Sequence, residues 1–362
     1  MPAAIALVTA GCVPPHDVTP VPPISRSCPD PAARVPAVRW FFPVVESDNR
    51  TMDRWCRTLG PIVLDSTPAA DFGSLAPGDS LTVAVWNANA GAGDLVEFVR
   101  RELGLTCAGT SSARSAAPSH FVLLVQEALR RSDAIPDGPR LGLVAPPASE
   151  VRRPGPRLDA VEVARWCGLS LFYAPQVRNG FAPRDGLRED RGVAILSTLP
   201  LTDFALIELP LESARRMVAV ASVRNGDGAR LRLASVHLIT TPPPWRVLVT
   251  GNSSRLRQAL GLADALRQLD AAPGSAVSTI AAGDLNTWSV REGAIRRLRE
   301  QFPDSPDPLA EPTRGTFPTD HVFFRRAPDR PPGTDRIVPG SYRRVESTYY
   351  SDHHPLIVRF AF

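Results

Sequence analysis

Short apolar runs separated by polar and turn-forming residues recur along most of the chain, a pattern typical of many β-strands. Residues 81–86 alternate apolar with small or polar side chains, whereas residues 121–125 are apolar throughout. The Asn-Gly-Asp-Gly turn at 225–228 lies between two further runs and predicts a β-hairpin. Other strands are predicted over residues 169–173, 192–197, 204–209, 216–223, 231–238, 277–282 and 320–324, and before residue 360.

Four segments are predicted as helices. The longest spans residues 254–269, where apolar side chains recur on one side. The others span residues 94–103, 159–166 and 291–301. The strands come in groups with few helices between them, which argues against a doubly wound parallel sheet. The pattern favours a sandwich of mixed β-sheets, an α/β fold of the α+β type.

Composition adds limits on size and partner. The 362 residues suit one large domain or two small ones, and 43% of them are hydrophobic, as in globular proteins. No apolar run approaches the roughly 20 residues that span a bilayer. All 41 basic residues are arginine, and the net charge of +4 mildly favours an anionic partner. Arginine suits phosphate because its planar guanidinium can bind two oxygens at once.

The N-terminal region predicts export. Residues 5–12 place an apolar run and small residues before Cys12, which resembles the end of a bacterial lipoprotein signal within residues 1–12. A membrane tether through Cys12 is one option, and a disordered N-terminus with an incidental cysteine is the other. Pro-rich residues 13–37 predict a linker, residues 38–78 an extension packed on the main domain, and residues 79–362 the main domain.

The five cysteines form no Cys-x-x-Cys pair, which argues against a structural zinc site. If Cys12 is lipidated, four cysteines remain, an even number compatible with disulfides in an exported protein. The count leaves the pairing among Cys28, Cys56, Cys107 and Cys167 open, with Cys28–Cys56 as one option.

The strongest candidate chemistry follows the predicted strand at 277–282. Asp284 and Asn286 are two residues apart, so in an extended backbone both face the same space. A carboxylate there can take a proton from water, and a carboxamide can donate to a developing oxyanion. The alternative is an ordinary Asp/Asn turn that ends the strand.

Further polar residues occupy the same position relative to other strands. Asn87, Glu127 and His237 follow apolar strands, and Asp352-His353 precedes the last one. Strand ends on one edge of a sandwich can converge on one pocket. Oxygen-rich ligands without cysteine suit Mg²⁺, Mn²⁺ or Ca²⁺, and a hard cation among arginines suits a phosphate ester.

In this order the motifs resemble the endonuclease/exonuclease/phosphatase superfamily, which includes deoxyribonuclease I and sphingomyelinases. The resemblance covers residues 79–362 and implies a four-layer sandwich of two mixed β-sheets between helices. The motifs are Trp86-Asn87, Gln126-Glu127, Gly192-Val-Ala-Ile-Leu-Ser, Ser235-Val-His237-Leu, Gly283-Asp284-Leu-Asn286, Asp320-His-Val-Phe and Ser351-Asp352-His353-His-Pro.

The resemblance also implies roles for these residues. It implies that Glu127 is the principal metal ligand, with Asn87 and Asp352 in support. It implies that Asp284 orients or deprotonates the attacking water and that Asn286 contacts the phosphate.

Histidines complete the implied machinery. His353 would bind a phosphoryl oxygen or transfer a proton, with Asp320 holding its ring, and His237 would contact the same phosphate. Where the family often has Asn, this chain has Val193. Arg191 is the candidate phosphate contact in its place, and Arg216 is a separate candidate to face the site, against the alternative that both are solvated.

The predicted function is a metal-dependent phosphodiesterase, with Mg²⁺ or Mn²⁺ expected and nucleic acid favoured over lipid. A sphingomyelin or other phospholipid phosphodiesterase and an inositol-type phosphomonoesterase stay open, as does a binding module with a dead site. Leaving-group specificity is expected in loops over residues 128–157, 178–191 and 240–252.

Overall fold

In a computed structural model of the chain, the described residues are 18–21, 38–43, 45, 48, 59–76, 78–107, 119–136, 158–179, 188–212, 214–240, 253–271, 277–331 and 333–362. The strands are β1 (Val18–Val21), β2 (Arg39–Pro43), β3 (Val63–Asp65), β4 (Ser80–Asn87), β5 (Phe121–Ser132), β6 (Ser170–Arg178), β7 (Arg188–Ser197), β8 (Thr202–Glu208), β9 (Met217–Arg224), β10 (Arg230–His237), β11 (Ser278–Asp284), β12 (Asp320–Arg325), β13 (Arg336–Ile337), β14 (Arg343–Arg344) and β15 (Leu356–Ala361). The helices are α1 (Leu95–Glu102), α2 (Ala160–Cys167), α3 (Ser253–Asp270) and α4 (Gly293–Gln301).

These strands form two mixed sheets. The first has the order β1-β2-β8-β9-β10-β11-β12, and β10 and β11 run parallel within it. The second has the order β13-β15-β4-β5-β7-β6-β3, and β4 and β5 are its parallel pair. The expectation of two mixed sheets is confirmed.

The hydrophobic core has three parts, one between the two sheets and one between each sheet and its helices, because side chains alternate between the two faces of a strand. Leu124 of β5 and Leu233 of β10 share the core between the two sheets. Their neighbours point the other way, as a pleated strand requires. Leu123 packs with α1 and α2, and Ala234 packs with α3 and α4. The predicted four-layer sandwich is therefore confirmed.

Two predicted loops are partly strand. β5 continues to Ser132 and β7 begins at Arg188, so residues 128–132 and 188–191 belong to the sheet. The polar pattern led to a wrong loop prediction because the charged side chains form ion pairs in the protein interior. Arg130 and Asp190 form a buried ion pair, and the Tyr173 hydroxyl donates to Asp190 Oδ1 at 2.7 Å.

The N-terminal segment contributes to both sheets. β2 pairs in parallel with β8, and β3 pairs antiparallel with β6. The predicted signal, Cys12, Cys28 and Cys56 lie outside the described residues. A disulfide joins Cys107 and Cys167, linking the segment after α1 to the end of α2. Among the helices that the structure describes, none is long and apolar enough to cross a membrane.

Candidate functional site

Strand ends from both sheets meet at one edge of the sandwich. Asn87 ends β4 and lies beside Gln126, while His237 and Asp284 end β10 and β11 as register partners. Both pairs are parallel, so their carboxyl ends point the same way. Asp320 begins the antiparallel strand β12 directly opposite Asp284. Residues far apart in the chain are thereby brought within a few ångströms.

Gly283 permits the close approach of β10 and β11 just before the site. Its φ is 152°, and an added Cβ would lie 1.8 Å from the Val236 carbonyl oxygen. Only glycine fits here without moving the backbone. The turn that follows is held by Asp284 Oδ1, which accepts the Asn286 N–H at 2.7 Å. Asn286 Nδ2 donates to the Leu238 carbonyl at 3.0 Å.

Asp284 is at the centre of the site. Its Oδ2 accepts a hydrogen bond from Asn87 Nδ2 at 2.8 Å, which joins the two sheets. The Nε2 atoms of His237 and His353 each lie 3.7 Å from the same oxygen. Burial raises the pKa of Asp284 to about 6, although the His353 charge opposes that shift.

Asp320 orients His353. Its Oδ2 lies 2.8 Å from His353 Nδ1 and accepts the Thr319 hydroxyl at 2.8 Å. The Trp86 indole donates to the His353 carbonyl at 3.1 Å. Burial disfavours the charged ring, but Asp320 and Asp284 outweigh burial and raise the pKa of His353 to about 9. The predicted pairing of Asp320 with His353 is confirmed.

His237 has the opposite electrostatic character. Burial first, and then the charges of Arg216 and Arg191, hold its pKa well below the ordinary value. Its Nδ1 has no hydrogen-bond partner among the described residues. The site therefore combines one neutral and one charged imidazole, which suits different tasks in one reaction.

Glu127 and Asp352 flank this centre. Glu127 occupies a bulge of β5 with φ 49°, and its Oε1 lies 4.0 Å from His237 Nε2. Asp352 Oδ1 lies 3.8 Å from His353 Nε2. Each carboxylate also pairs with an arginine, at 3.1 Å for Glu127–Arg191 and 2.6 Å for Asp352–Arg314. The oxygens of these two carboxylates and of the Asn87 carboxamide are of the kind that a hard divalent cation prefers.

A second group of side chains has the spacing of metal ligands. Ligand atoms of Asp284, Asp320 and His353 lie within 4.8 Å of one another, and all three residues are buried. A metal here would have to compete for a nitrogen that is hydrogen-bonded to Asp320 and carries a proton at neutral pH. This group is better suited to holding and moving a proton than to coordinating a cation.

Buried arginine adds positive charge. Arg216 is 9% exposed, and its Nε donates to the Leu238 carbonyl at 3.2 Å. Burial lowers its pKa to about 10, partly offset by Glu127 and Asp284, so the side chain stays charged at neutral pH. Arg215 points elsewhere and forms a buried ion pair with Glu208.

All ten residues singled out from the sequence lie in or beside this cluster. The sequence did not indicate Arg314, Thr313 or Thr319, which come from a segment with no periodic pattern. His321, the residue after Asp320, contacts the Pro318 carbonyl at 2.8 Å and Thr287 Oγ1 at 2.9 Å through Nε2.

A model of the endonuclease/exonuclease/phosphatase family matches residues 84–353. Among solved structures, the human Nocturnin catalytic domain with a bound sulfate anion is 14% identical, with a TM-score of 0.47 over 80% of this chain and 96% of that one. Sphingomyelinase C from Streptomyces griseocarneus is 18% identical, with a TM-score of 0.42 over 78% and 99%. Truncated Caenorhabditis elegans TDP2 is 14% identical, with a TM-score of 0.43 over 79% and 99%. No curated protein matches the chain in sequence.

Proposed function

Since the chain belongs to the endonuclease/exonuclease/phosphatase family, whose members are hydrolases of phosphate esters, we propose that it is a metal-dependent phosphodiesterase acting on nucleic acid. One observation supports this proposal above the others. The buried Asp284 carboxylate has two imidazole Nε2 atoms at 3.7 Å from a single oxygen. A proton acceptor and two groups able to bind phosphoryl oxygens therefore face one small space.

In the proposed reaction a water oxygen attacks phosphorus while Asp284 accepts the water's proton. The bond from phosphorus to the leaving oxygen breaks, and that oxygen takes a proton from His353. Asp320 keeps the His353 ring in place through Nδ1. His237 and the second N–H of the Asn286 carboxamide stabilise negative charge on the phosphoryl oxygens.

Glu127, Asp352 and Asn87 are the residues that would hold a divalent cation. Bound there, Mg²⁺ or Mn²⁺ would supply Lewis-acid stabilisation of the phosphoryl group. Arg191 and Arg216 add positive charge that the same group can use. Arg216 suits this role because it is already buried beside the site and needs little reorganisation.

The net charge of +4 and the arginines at the site favour an anionic substrate such as nucleic acid. All 41 basic side chains are arginine, which binds phosphate through two donors at once. Export is part of the same proposal. The Cys107–Cys167 disulfide supports it, because disulfides persist mainly in oxidising compartments.

A substrate panel tests the proposal. Purified protein with Mg²⁺ is offered single-stranded and duplex DNA, RNA, sphingomyelin vesicles and inositol phosphates, with Asp284→Asn as the matched inactive control. We expect cleavage of DNA or RNA by the wild type and a loss of at least about a hundredfold in the variant. Turnover of sphingomyelin or inositol phosphate alone would contradict the nucleic-acid assignment, and equal rates for both proteins would remove Asp284 from the chemistry.

A further inference from the structure

A tight hairpin beside the site holds an arginine and an exposed aromatic ring that the chemistry above does not use. The N–H groups of Thr313 and Arg314 donate to the Phe317 carbonyl at 3.0 and 3.1 Å, and the Phe317 N–H returns to Arg314 O at 2.8 Å. Gly315 at the tip has φ 54°, which favours glycine. The hairpin therefore presents Arg314 and Phe317 close together.

The base of the hairpin is fixed to the catalytic pair. Thr313 Oγ1 accepts the Asp320 N–H at 3.0 Å, and the Thr313 carbonyl accepts the His354 N–H at 2.8 Å. Asp320 and the residue after His353 thus both bind Thr313. The position of the hairpin relative to the reacting phosphate is set by these bonds.

Arg314 faces the site. Its Nη2 lies 2.6 Å from Asp352 Oδ2, and the other oxygen of Asp352 is 3.8 Å from His353 Nε2. The Arg314 side chain is 44% exposed, so its ion pair is weak and the guanidinium can engage an anion. A guanidinium carries several N–H donors, and this single contact leaves others for a phosphate oxygen.

Phe317 provides an aromatic surface on the same hairpin as Arg314. It is 43% exposed, and its ring lies 5.8 Å from the Trp288 ring at a tilt of 33°. Trp288 is four residues after Asp284, so it lies at most about 14 Å along the chain from the reacting centre. The Leu285 N–H donates to the Thr319 carbonyl at 2.8 Å, which keeps the two segments side by side.

We propose that Arg314 and Phe317 form a subsite for the nucleotide next to the scissile phosphate. Phe317, backed by Trp288, stacks on an unpaired base, and Arg314 binds an adjoining phosphate oxygen. Aromatic stacking with an arginine nearby is the usual means of holding single-stranded nucleic acid. This inference rests on the proposed function and narrows its substrate to single strands.

The same hairpin is poorly suited to enter a lipid surface. Its tip, Arg314-Gly-Thr-Phe317, offers one apolar side chain beside a permanent charge. Burying arginine in hydrocarbon is unfavourable, and a membrane anchor needs more apolar area than one ring. The basic and aromatic pair fits a nucleotide better.

The experiment compares two substrates of equal length, a single-stranded oligonucleotide and one lacking the base next to the cleaved phosphodiester. Phe317→Leu keeps apolar bulk but removes the aromatic face. We expect it to raise KM for the complete oligonucleotide by roughly five- to 150-fold and to leave KM for the abasic one unchanged. Phe317→Tyr should restore the wild-type value. Trp166→Leu, at a 42% exposed position on α2, is the matched control and should have no effect.

Arg314→Gln should raise KM for both oligonucleotides alike and lower the slope of log KM against log salt by about 0.7, as for one lost phosphate contact. Equal effects of Phe317→Leu on both substrates, or an equal effect of Trp166→Leu, would overturn the subsite. If the wild type cleaves oligonucleotides but Phe317→Leu changes nothing, the subsite alone is wrong. If the wild type cleaves only sphingomyelin vesicles, the proposed function itself fails.

Discussion

Replacing Asp320 by asparagine isolates the charge that supports His353. The carboxamide oxygen introduced by Asp320→Asn can still accept the Nδ1–H of His353, so ring orientation should persist while the negative charge is lost. Burial lowers the pKa of His353, and Asp320 is the first of the groups that raise it, ahead of Asp284. The substitution therefore separates electrostatics from positioning.

The size of the effect follows from the pKa. His353 titrates with a pKa of about 9 rather than 6.5, a difference worth about 3 kcal/mol for a buried group. Asp284 supplies part of this, so we expect the pKa of His353 in Asp320→Asn to fall to about 8 or below. At about pH 9 the rate of the chemical step should drop at least about fivefold, because about half of the His353 rings are protonated in the wild type and about a tenth in the variant.

Stability should change with pH in a defined direction. The folded-state pKa of His353 is raised, so its contribution to folding is complete below pH 6.5 and is lost as the pH rises through about 9. The difference in unfolding free energy between wild type and Asp320→Asn should therefore be largest at and below about pH 6.5. It should narrow as the pH rises from the variant's own His353 pKa to about 9.

Imidazole ¹H–¹⁵N NMR titration with chelator present measures the pKa, and urea denaturation at several pH values measures stability. Asp335→Asn is the matched control. Asp335 is also buried and pairs with Arg330 at 2.9 Å, but it contacts Ser278 at the opposite end of β11 from Asp284. An unchanged His353 pKa in Asp320→Asn, or an equal fall in Asp335→Asn, would refute the reasoning.

Three further outcomes are expected. Activity should disappear with a chelator and return with Mg²⁺ or Mn²⁺, and full activity in metal-free buffer would argue against a metal. Glu127→Gln should weaken metal binding in calorimetry without changing the melting temperature. His237→Ala should lower kcat by about a hundredfold, the scale of one lost donor to a phosphoryl oxygen, and a rate near wild type would exclude that role. Replacing Cys107 and Cys167 by Ser should cost about 4 kcal/mol in urea unfolding, because the disulfide closes a loop with a sequence separation of 60, and an unchanged midpoint would show that the bond does not form.

Local pattern was enough to predict Asp284 at the end of a buried strand. Asn286 lies in the turn after that strand with φ 53°, so the extended backbone expected for this pair was wrong, and the Asp284 side chain holds the turn instead. The motif order then predicted the partners from other strands, including the Asp320–His353 hydrogen bond. These predictions concern residues whose environment depends on strand direction and register.

The pattern of polar and apolar residues gave wrong predictions where charged side chains are buried. Arg130 and Asp190 look like solvated loop residues, yet each neutralises the other inside the sheet. Arg191 was therefore expected in a loop rather than on β7. The Cys107–Cys167 pairing could not be obtained from a count of cysteines, because several pairings are equally compatible with the same number. Arg314 reaches the site only through the tertiary position of its hairpin, which local sequence pattern does not predict.

The division of the site between two sheets has a consequence for the timing of activity. Glu127 belongs to the second sheet and Asp284 to the first, while His353 lies three residues before β15, which returns to pair with β4. A growing chain on the ribosome lacks His353 until almost all other strands have been made. Hydrolysis should therefore begin only after synthesis has passed β15 and the two sheets have docked, so a nascent or half-folded chain is harmless to the phosphate esters around it.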